Sequence, residues 1–135
     1  MASFNKFYSF TEAVAEKKHN LGSDQLVVAL TNTVPVNTNT QLSDITQISY
    51  TNVSTRNITT TTSTQTSGTY KLVLADLVLT ASGTVGPFRY IVIYNDTATN
   101  DELIGYYDYG SSLSLASGDT FTCDFDASNG VLTIA

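Results

Sequence analysis

The sequence predicts an all-β fold, a jelly-roll-like antiparallel β-sandwich with one short N-terminal helix. From about residue 25 onward, short segments rich in Val, Ile, Thr and Tyr alternate with clusters of Gly, Asn, Asp and Ser. A single helical pattern precedes about eight such segments, an order that favours a sandwich over a parallel α/β fold. The 135 residues suffice for one hydrophobic core. We therefore expect one domain over 1–135, with 1–22 as an N-terminal arm and helix.

The helix is predicted from a capping pattern near the start of the chain. Ser9 and Glu12 have the spacing of a capping box, in which each side chain binds a backbone N–H of the other's turn. Basic residues at 17–19 follow where the helix dipole favours cations. The helix is expected over about 10–19, with Phe10, Ala13 and Val14 buried.

The remaining elements are predicted as strands and the turns between them. QLVVALTNT at 25–33 is an apolar strand that ends before Pro35, and VNTNTQLSD after it is too polar for a core element. In DTFTCDFD at 119–126, apolar and polar residues alternate, as in a half-buried strand, and the chain is expected to turn back through ASNG into VLTIA as a hairpin. The other predicted strand segments are ITQISYTNV, TRNITTTTSTQTSGTY, YKLVLADLVLTA, FRYIVIYND, ELIGYYDYG and SLSLA.

Charged residues make up only 13% of the chain, and they are unevenly distributed. Six Lys and Arg against twelve Asp and Glu give a net charge of -6, which argues against nucleic acid as a partner. Residues 1–71 carry five basic and four acidic residues, whereas 72–135 carry one and eight. If the two halves form different surfaces, one side is near neutral and the other acidic. Because charged residues are few and threonine is abundant, we expect a surface kept polar mainly by hydroxyl and amide groups. Such surfaces are typical of extended β proteins in assemblies.

Targeting signals and disulfides are not expected. The first residues lack the apolar run of a signal peptide, and no later run is long enough for a membrane helix. Cys123 is the single cysteine and alternates with Phe121 and Phe125, so it is expected in the core rather than in a disulfide or as a nucleophile. We expect a soluble protein made in the cytoplasm, with no membrane partner.

The segment from Tyr90 to Tyr109 predicts a hairpin that is apolar on both faces. On its first strand, Tyr90, Val92 and Tyr94 alternate with two isoleucines. On the second, the same alternation places Leu103, Tyr107 and Tyr109 opposite to Ile104 and Tyr106. One face meets the core, so the other must be covered by a loop, the helix or another subunit. Core packing, a subunit interface and carbohydrate stacking are the three interpretations of these tyrosines.

No metal, cofactor or catalytic group is expected. The acidic residues around the hairpin loop lack both the D-x-D-x-D-G spacing and the glycine of a calcium loop, so they indicate a loop whose side chains bind its own backbone. His19 is the only histidine and has no G-x-S-x-G partner. It is interpreted as a cation at the C-terminal end of the helix, and the protein is expected not to be an enzyme.

The order of segments resembles a known group of virion proteins. FYSFTEAVAEKKHNLGSDQLVVALTNTVP, LSDITQISY and GPFRYIVIYNDTATNDELIGYYDYGSSLSLASGDTFTCDF are similar, in this order, to the small head decoration or cement proteins of tailed bacteriophages. The similarity extends over nearly the whole chain, and its motifs are structural rather than catalytic.

This resemblance implies a role in the virion. It implies a jelly-roll-like fold, a place on the outer surface of an icosahedral head, and the major capsid protein as partner. The chain is also expected to bind itself, as a homotrimer rather than a homodimer. A carbohydrate-binding or host-adhesion module, and a tail or neck subunit, are the alternatives. The residues expected at capsid or subunit contacts are Phe4, Phe7, Tyr8, Phe10, Tyr90, Tyr94, Tyr106, Tyr107 and Tyr109.

Overall fold

The structure is a computed structural model that describes residues 2–135. Among these residues there are ten β-strands, one α-helix and one short 3-10 helix at Leu42–Asp44. The α-helix, α1, is Ser9–Ala15. The strands are β1 Phe4–Lys6, β2 Leu26–Thr31, β3 Asn57–Ile58, β4 Thr60–Thr66, β5 Thr69–Leu74, β6 Leu77–Thr80, β7 Val85–Asn95, β8 Leu103–Leu115, β9 Thr120–Cys123 and β10 Leu132–Ile134. The predicted all-β class with one short helix is confirmed.

The strands form three sheets in which every pairing is antiparallel. A five-stranded sheet has the order β1-β8-β7-β2-β3, a three-stranded sheet the order β10-β5-β4, and a two-stranded sheet pairs β6 with β9. Strands from both halves of the chain lie side by side in the two larger sheets. The two halves of the sequence are therefore interleaved in the sheets and do not form separate layers.

One face of the five-stranded sheet packs on a core that all three sheets share. Leu26 and Ile93 from the large sheet belong to the same buried cluster as Leu72 of β5, Leu79 of β6 and Cys123 of β9. These side chains are at most 5% exposed. The prediction that Cys123 is a small core residue is confirmed, since its thiol is buried and free.

The other face of the same sheet is covered by the chain itself. A second buried cluster contains Val92 and Tyr94 of β7 and Leu103 of β8, together with Phe7 and Ile45. Phe7 lies just after β1, and Ile45 lies just after the 3-10 helix. A loop and the N-terminal segment therefore cover the second apolar face of the hairpin. Cover by a loop was one of the three predicted alternatives.

The N-terminal segment is part of the fold rather than an arm. Phe4 and Lys6 of β1 pair with Tyr107 and Gly105 at the edge of the large sheet. Phe7 follows β1 with 0% of its surface exposed. These residues, which were expected to form an N-terminal arm, are held in the fold because the apolar face of β7 and β8 needs Phe7 as cover. Met1 lies outside the described residues.

The helix is shorter than expected and capped differently. It ends at Ala15, so the basic residues at 17–19 lie beyond it. Ser9 is its first residue, and the Ser9 hydroxyl approaches the carbonyl of Asn39 at 3.5 Å instead of capping the helix. Tyr8 occupies the N-cap position without a side-chain hydrogen bond. The predicted capping box is wrong, because this end of the helix contacts the loop at 36–40 instead. The backbone N–H of Tyr8 donates to the carbonyl of Asn37 at 3.0 Å.

Two strand predictions were also wrong. Residues 45–53 form no strand and contribute one isolated bridge, between Val53 and Ala81. The Tyr50 hydroxyl accepts a hydrogen bond from the Leu30 amide at 2.9 Å, so a side chain occupies the place of a ladder bond. The expected hairpin of the last two strands does not form, because β9 pairs with β6 and β10 pairs with β5. In residues 2–135 no helix is long and apolar enough to cross a membrane.

The buried position of Phe7 predicts a large effect on stability. Phe7→Ala removes a fully buried ring and leaves a cavity, so the free energy of unfolding is expected to fall by about 3–5 kcal/mol. Tyr8→Ala is the control, since Tyr8 is 64% exposed and its loss is expected to change stability by less than about 1 kcal/mol. Urea unfolding of both variants measures the difference. Equal losses would show that Phe7 does not cover the sheet.

Candidate functional site

The hairpin of β7 and β8 contains most of the predicted contact residues, but its faces differ from the predicted ones. Tyr106 pairs with Val92 and lies on the face covered by Phe7, at 5.4 Å between ring centroids. Tyr107 pairs with Ile91 on the opposite face. The register shifts between the pairs at Ile93 and Tyr94, because β8 has one extra residue there. This bulge reverses the alternation, so the predicted grouping of Leu103 with Tyr107 and Tyr109 is wrong.

Most of the nine predicted contact residues are covered within the chain. Phe7, Phe10, Tyr90 and Tyr94 are at most 8% exposed, and they support the core of the chain rather than a contact with a partner. Phe4, Tyr106 and Tyr107 are partly buried. Only Tyr8 and Tyr109 of this set are well exposed, at 64% and 52%. Since the second face of the hairpin is covered internally, the reason for expecting self-association through it no longer holds.

The acidic residues of the hairpin do not form one group. Asp108 lies on β8, where its carboxylate accepts two hydrogen bonds from Arg89 at 2.8 and 3.1 Å. These bonds hold the pKa of Asp108 below its usual value. Asp101 and Glu102 lie at the other end of the hairpin, and burial together with Asp96 and Glu102 raises the pKa of Asp101. Across residues 2–135, no three His, Cys, Asp or Glu side chains are grouped so as to hold a metal ion.

His19 lies in a buried polar cluster rather than at a helix end. The side-chain Nδ2 of Asn95 lies 3.0 Å from Nδ1 of His19 and donates to Oδ2 of Asp24 at 2.7 Å. Oδ1 of Asn95 accepts from the backbone N–H groups of Thr97 and Ala98. Those two donors fix the orientation of the Asn95 amide, so Nδ1 of His19 must be an acceptor. The prediction of a capping cation is wrong.

This geometry disfavours the protonated form of the His19 imidazole. A proton on Nδ1 would face the amide hydrogens of Asn95, and burial of the ring disfavours its charged form. Burial therefore lowers the pKa of His19, although Glu102 and Asp24 act in the opposite direction. Nε2 of His19 and Oε2 of Glu102 are both buried without a hydrogen-bond partner among residues 2–135. Sequence reasoning missed the cluster because its members are 71 and 76 positions apart.

An aromatic pocket opens between β8 and β9, on the side of the hairpin that faces the shared core. It has a volume of about 140 Å³ and is lined by Ile91, the rings of Tyr107, Tyr109, Phe121 and Phe125, and Asp124. Burial, with contributions from Asp126, Cys123 and Asp124, raises the pKa of Tyr107 to about 12. Burial and Asp76 raise the pKa of the Cys123 thiol to about 12, so it is not an activated nucleophile.

A strand edge that sequence reasoning did not single out is also open. β4 pairs with β5 on one side only, and its residues are exposed or partly exposed. Its sequence, TTTSTQT, contains no charge and no proline. The sequence did predict a threonine-rich strand here, but which of its edges stays unpaired depends on the sheet order.

Comparison of the chain with protein-family models, with curated proteins and with solved structures found no match.

The buried His19 predicts a pH-dependent stability. Because its pKa is lowered on folding, the unfolded chain binds more protons at pH values below about 6.5, and the contribution of neutral His19 is lost as the pH falls through the lowered pKa. We expect the urea midpoint to decrease between pH 7.5 and 5. In His19→Gln this decrease should be clearly smaller, whatever its stability at pH 7.5. An equal decrease in both proteins would contradict the assignment to His19.

Proposed function

We propose that this protein is a capsid decoration protein that binds the outer surface of a phage head and holds neighbouring capsid subunits together. The proposal rests on the resemblance of its segments to head decoration proteins and on one structural observation. That observation is an uncharged open strand edge, β4, within the part of the chain that has no acidic residue. A jelly-roll-like sandwich and a location in the virion belong to the same proposal.

One long segment of the chain contains no acidic residue. Residues 45–75 include Arg56 and Lys71 but no Asp or Glu, while all twelve acidic residues lie outside this segment. A chain of net charge -6 repels other acidic surfaces, and this repulsion is weakest where carboxylates are absent. One contact surface is therefore assigned to 45–75 rather than to the whole N-terminal half.

The backbone groups of β5 show which way those of β4 point. Leu72 accepts a hydrogen bond from the N–H of Val131, on the side of β10. Ala75 donates to the carbonyl of Thr59, on the side of β4. Successive residues of a strand direct their backbone groups to opposite sides. The backbone groups of the odd-numbered residues of β5 therefore point toward β4.

The open edge of β4 therefore presents the backbone of two residues in particular. Ser63 and Gln65 lie opposite Leu72 and Tyr70 of β5, whose backbone groups point away from β4. Ser63 and Gln65 must then direct their own N–H and C=O groups outward. Proteins usually protect such edges with charges, prolines or short strands. A seven-residue edge without charge or proline suits the addition of an extended segment from another protein.

Weak contacts of this kind are sufficient for decoration. A protein that bridges two capsid subunits binds the second from a high effective concentration, so avidity multiplies modest affinities. Binding only to the assembled shell then stabilises the shell by the free energy of binding. A homotrimer would add further contacts. It stays a prediction, and Tyr8 and Tyr109 are the predicted residues left exposed for it.

The edge of β4 is tested by removing one outward N–H. Ser63→Pro deletes this donor without removing a bond to β5, so the fold is expected to survive. Binding to purified undecorated capsids, measured by cosedimentation, is expected to weaken about tenfold or more, which corresponds to one lost hydrogen bond and a blocked approach.

Ser63→Ala is the matched control. It loses the same contact of the Ser63 hydroxyl with the Tyr70 hydroxyl, at 2.7 Å, but keeps the N–H. Its capsid binding should stay within about twofold of the original protein. If both variants bind as tightly as the original, the edge is not the contact. If the original protein never binds capsids, the proposed function is wrong.

A further inference from the structure

The aromatic pocket between β8 and β9 is built for a ligand that has both apolar and charged parts. The Tyr109 and Phe121 rings lie 5.4 Å apart with an interplanar angle of 61°, and the Tyr107 and Phe125 rings lie 6.1 Å apart at 46°. The faces of such rings carry partial negative charge and attract cations. A volume of about 140 Å³ is enough for one extended side chain but small for a larger organic molecule.

One exposed acidic residue, Asp124, lines this pocket. Asp124 is exposed and makes no hydrogen bond or ion pair to any residue from 2 to 135, and no Lys or Arg from this part of the chain lines the pocket. The neighbouring Asp126 is already occupied, since it accepts bonds from the N–H groups of Ser128 and Asn129. Nζ of Lys71 binds the carbonyl of Ser128 at 3.0 Å. Asp124 is thus the acidic residue at this pocket whose carboxylate has no partner among residues 2–135.

Other carboxylates lie near the pocket, since Asp126 acts on Tyr107 and Asp76 acts on Cys123. Carboxylates contribute, after burial, to the raised pKa of Tyr107 and to that of Cys123, and both residues line the pocket. Negative potential, aromatic walls and a free carboxylate complement a positive charge carried on an apolar stem.

We propose that this pocket binds an arginine side chain of the protein on which the chain docks. The guanidinium stacks on aromatic rings and binds a carboxylate through two parallel N–H groups, which the compact ammonium of lysine cannot do. The methylene stem packs against Ile91 and Phe125. The identity of the partner as a capsid protein rests on the proposed function, whereas the chemistry of the pocket does not. With the open edge of β4, the pocket gives the chain two separate contacts, as a bridge between subunits requires.

The chemistry is tested on the isolated protein with a small probe. Nα-acetyl-arginine methylamide is titrated while the NMR signals of Tyr109, Phe121 and Thr122 are followed, and the neutral isostere Nα-acetyl-citrulline methylamide is the control probe. We expect a millimolar dissociation constant for the arginine probe and binding of the citrulline probe weaker by about fivefold or more.

Variants that differ in one carboxylate locate the site. Asp124→Asn should weaken binding of the arginine probe about fivefold or more, and Tyr109→Leu should also weaken it. Asp96→Asn removes the same charge from the exposed hairpin loop and should leave the affinity unchanged. Equal binding of both probes, no binding of either, or no effect of Asp124→Asn would overturn the inference. So would neutral monosaccharides shifting these signals where the arginine probe does not.

Capsid binding separates this inference from the proposed function. If the original protein binds capsids, Asp124→Asn should bind them more weakly than Asp96→Asn by about fivefold or more. Equal capsid binding by these two variants would refute the role of the pocket in docking and leave the proposed function intact. If the original protein does not bind capsids, the proposed function fails, and the probe titration alone decides the chemistry of the pocket.

Discussion

The structure depends on one constraint: the β7 and β8 hairpin is apolar on both faces, and each face must be removed from water. Burial of one medium-sized apolar side chain is worth about 1.5–3 kcal/mol, so neither face can be left open without a large loss. β5, β6 and β9 supply the cover for one face. Phe7 and Ile45, from two separate segments, supply it for the other. The position of the N-terminal strand follows from this demand.

The same constraint decides which aromatic side chains stay accessible. Because both hairpin faces are covered internally, the tyrosines that looked most available in the sequence are mostly packed inside. Two of the surfaces left open among residues 2–135 are the edge of β4 and the pocket between β8 and β9. At both places no further segment of the described chain pairs with the strand or fills the gap. Both are therefore suited to receiving part of another protein.

Local patterns predicted the elements well, and non-local contacts decided what the patterns left open. The apolar run at 25–33 and the alternation at Phe121 and Cys123 gave strands close to where the structure has them. The partner of β9 could not be read from the sequence, because turn residues indicate a reversal of the chain and not which strand lies beside it. The bulge in β8 likewise depends on how β7 and β8 are matched, and one extra residue reversed the predicted faces.

The candidate sites show the same division. The threonine-rich composition of β4 was visible from the sequence, but its open edge follows from the sheet order. Phe121 and Phe125 were assigned to the core by their alternation with Cys123, and only the packing of β9 beside β8 exposes part of the ring of Phe121 to a pocket. His19 was misplaced for a related reason, since its partners Asn95 and Asp24 belong to other parts of the chain.

The pairing of β1 with β8 also has a consequence for how the chain is synthesised. The side chain of Asn5 binds the carbonyl of Tyr106, 101 positions later. At translation rates of about 5–20 residues per second, the N-terminal strand waits roughly 5–20 seconds for its partner to leave the ribosome. During this interval Phe7 has no sheet face to cover, and β2 lacks β7, the strand with which it pairs along its whole length. The nascent chain therefore stays open to chaperones and to aggregation until most of its length has been made, since the five-stranded sheet is completed only when β7 and β8 arrive.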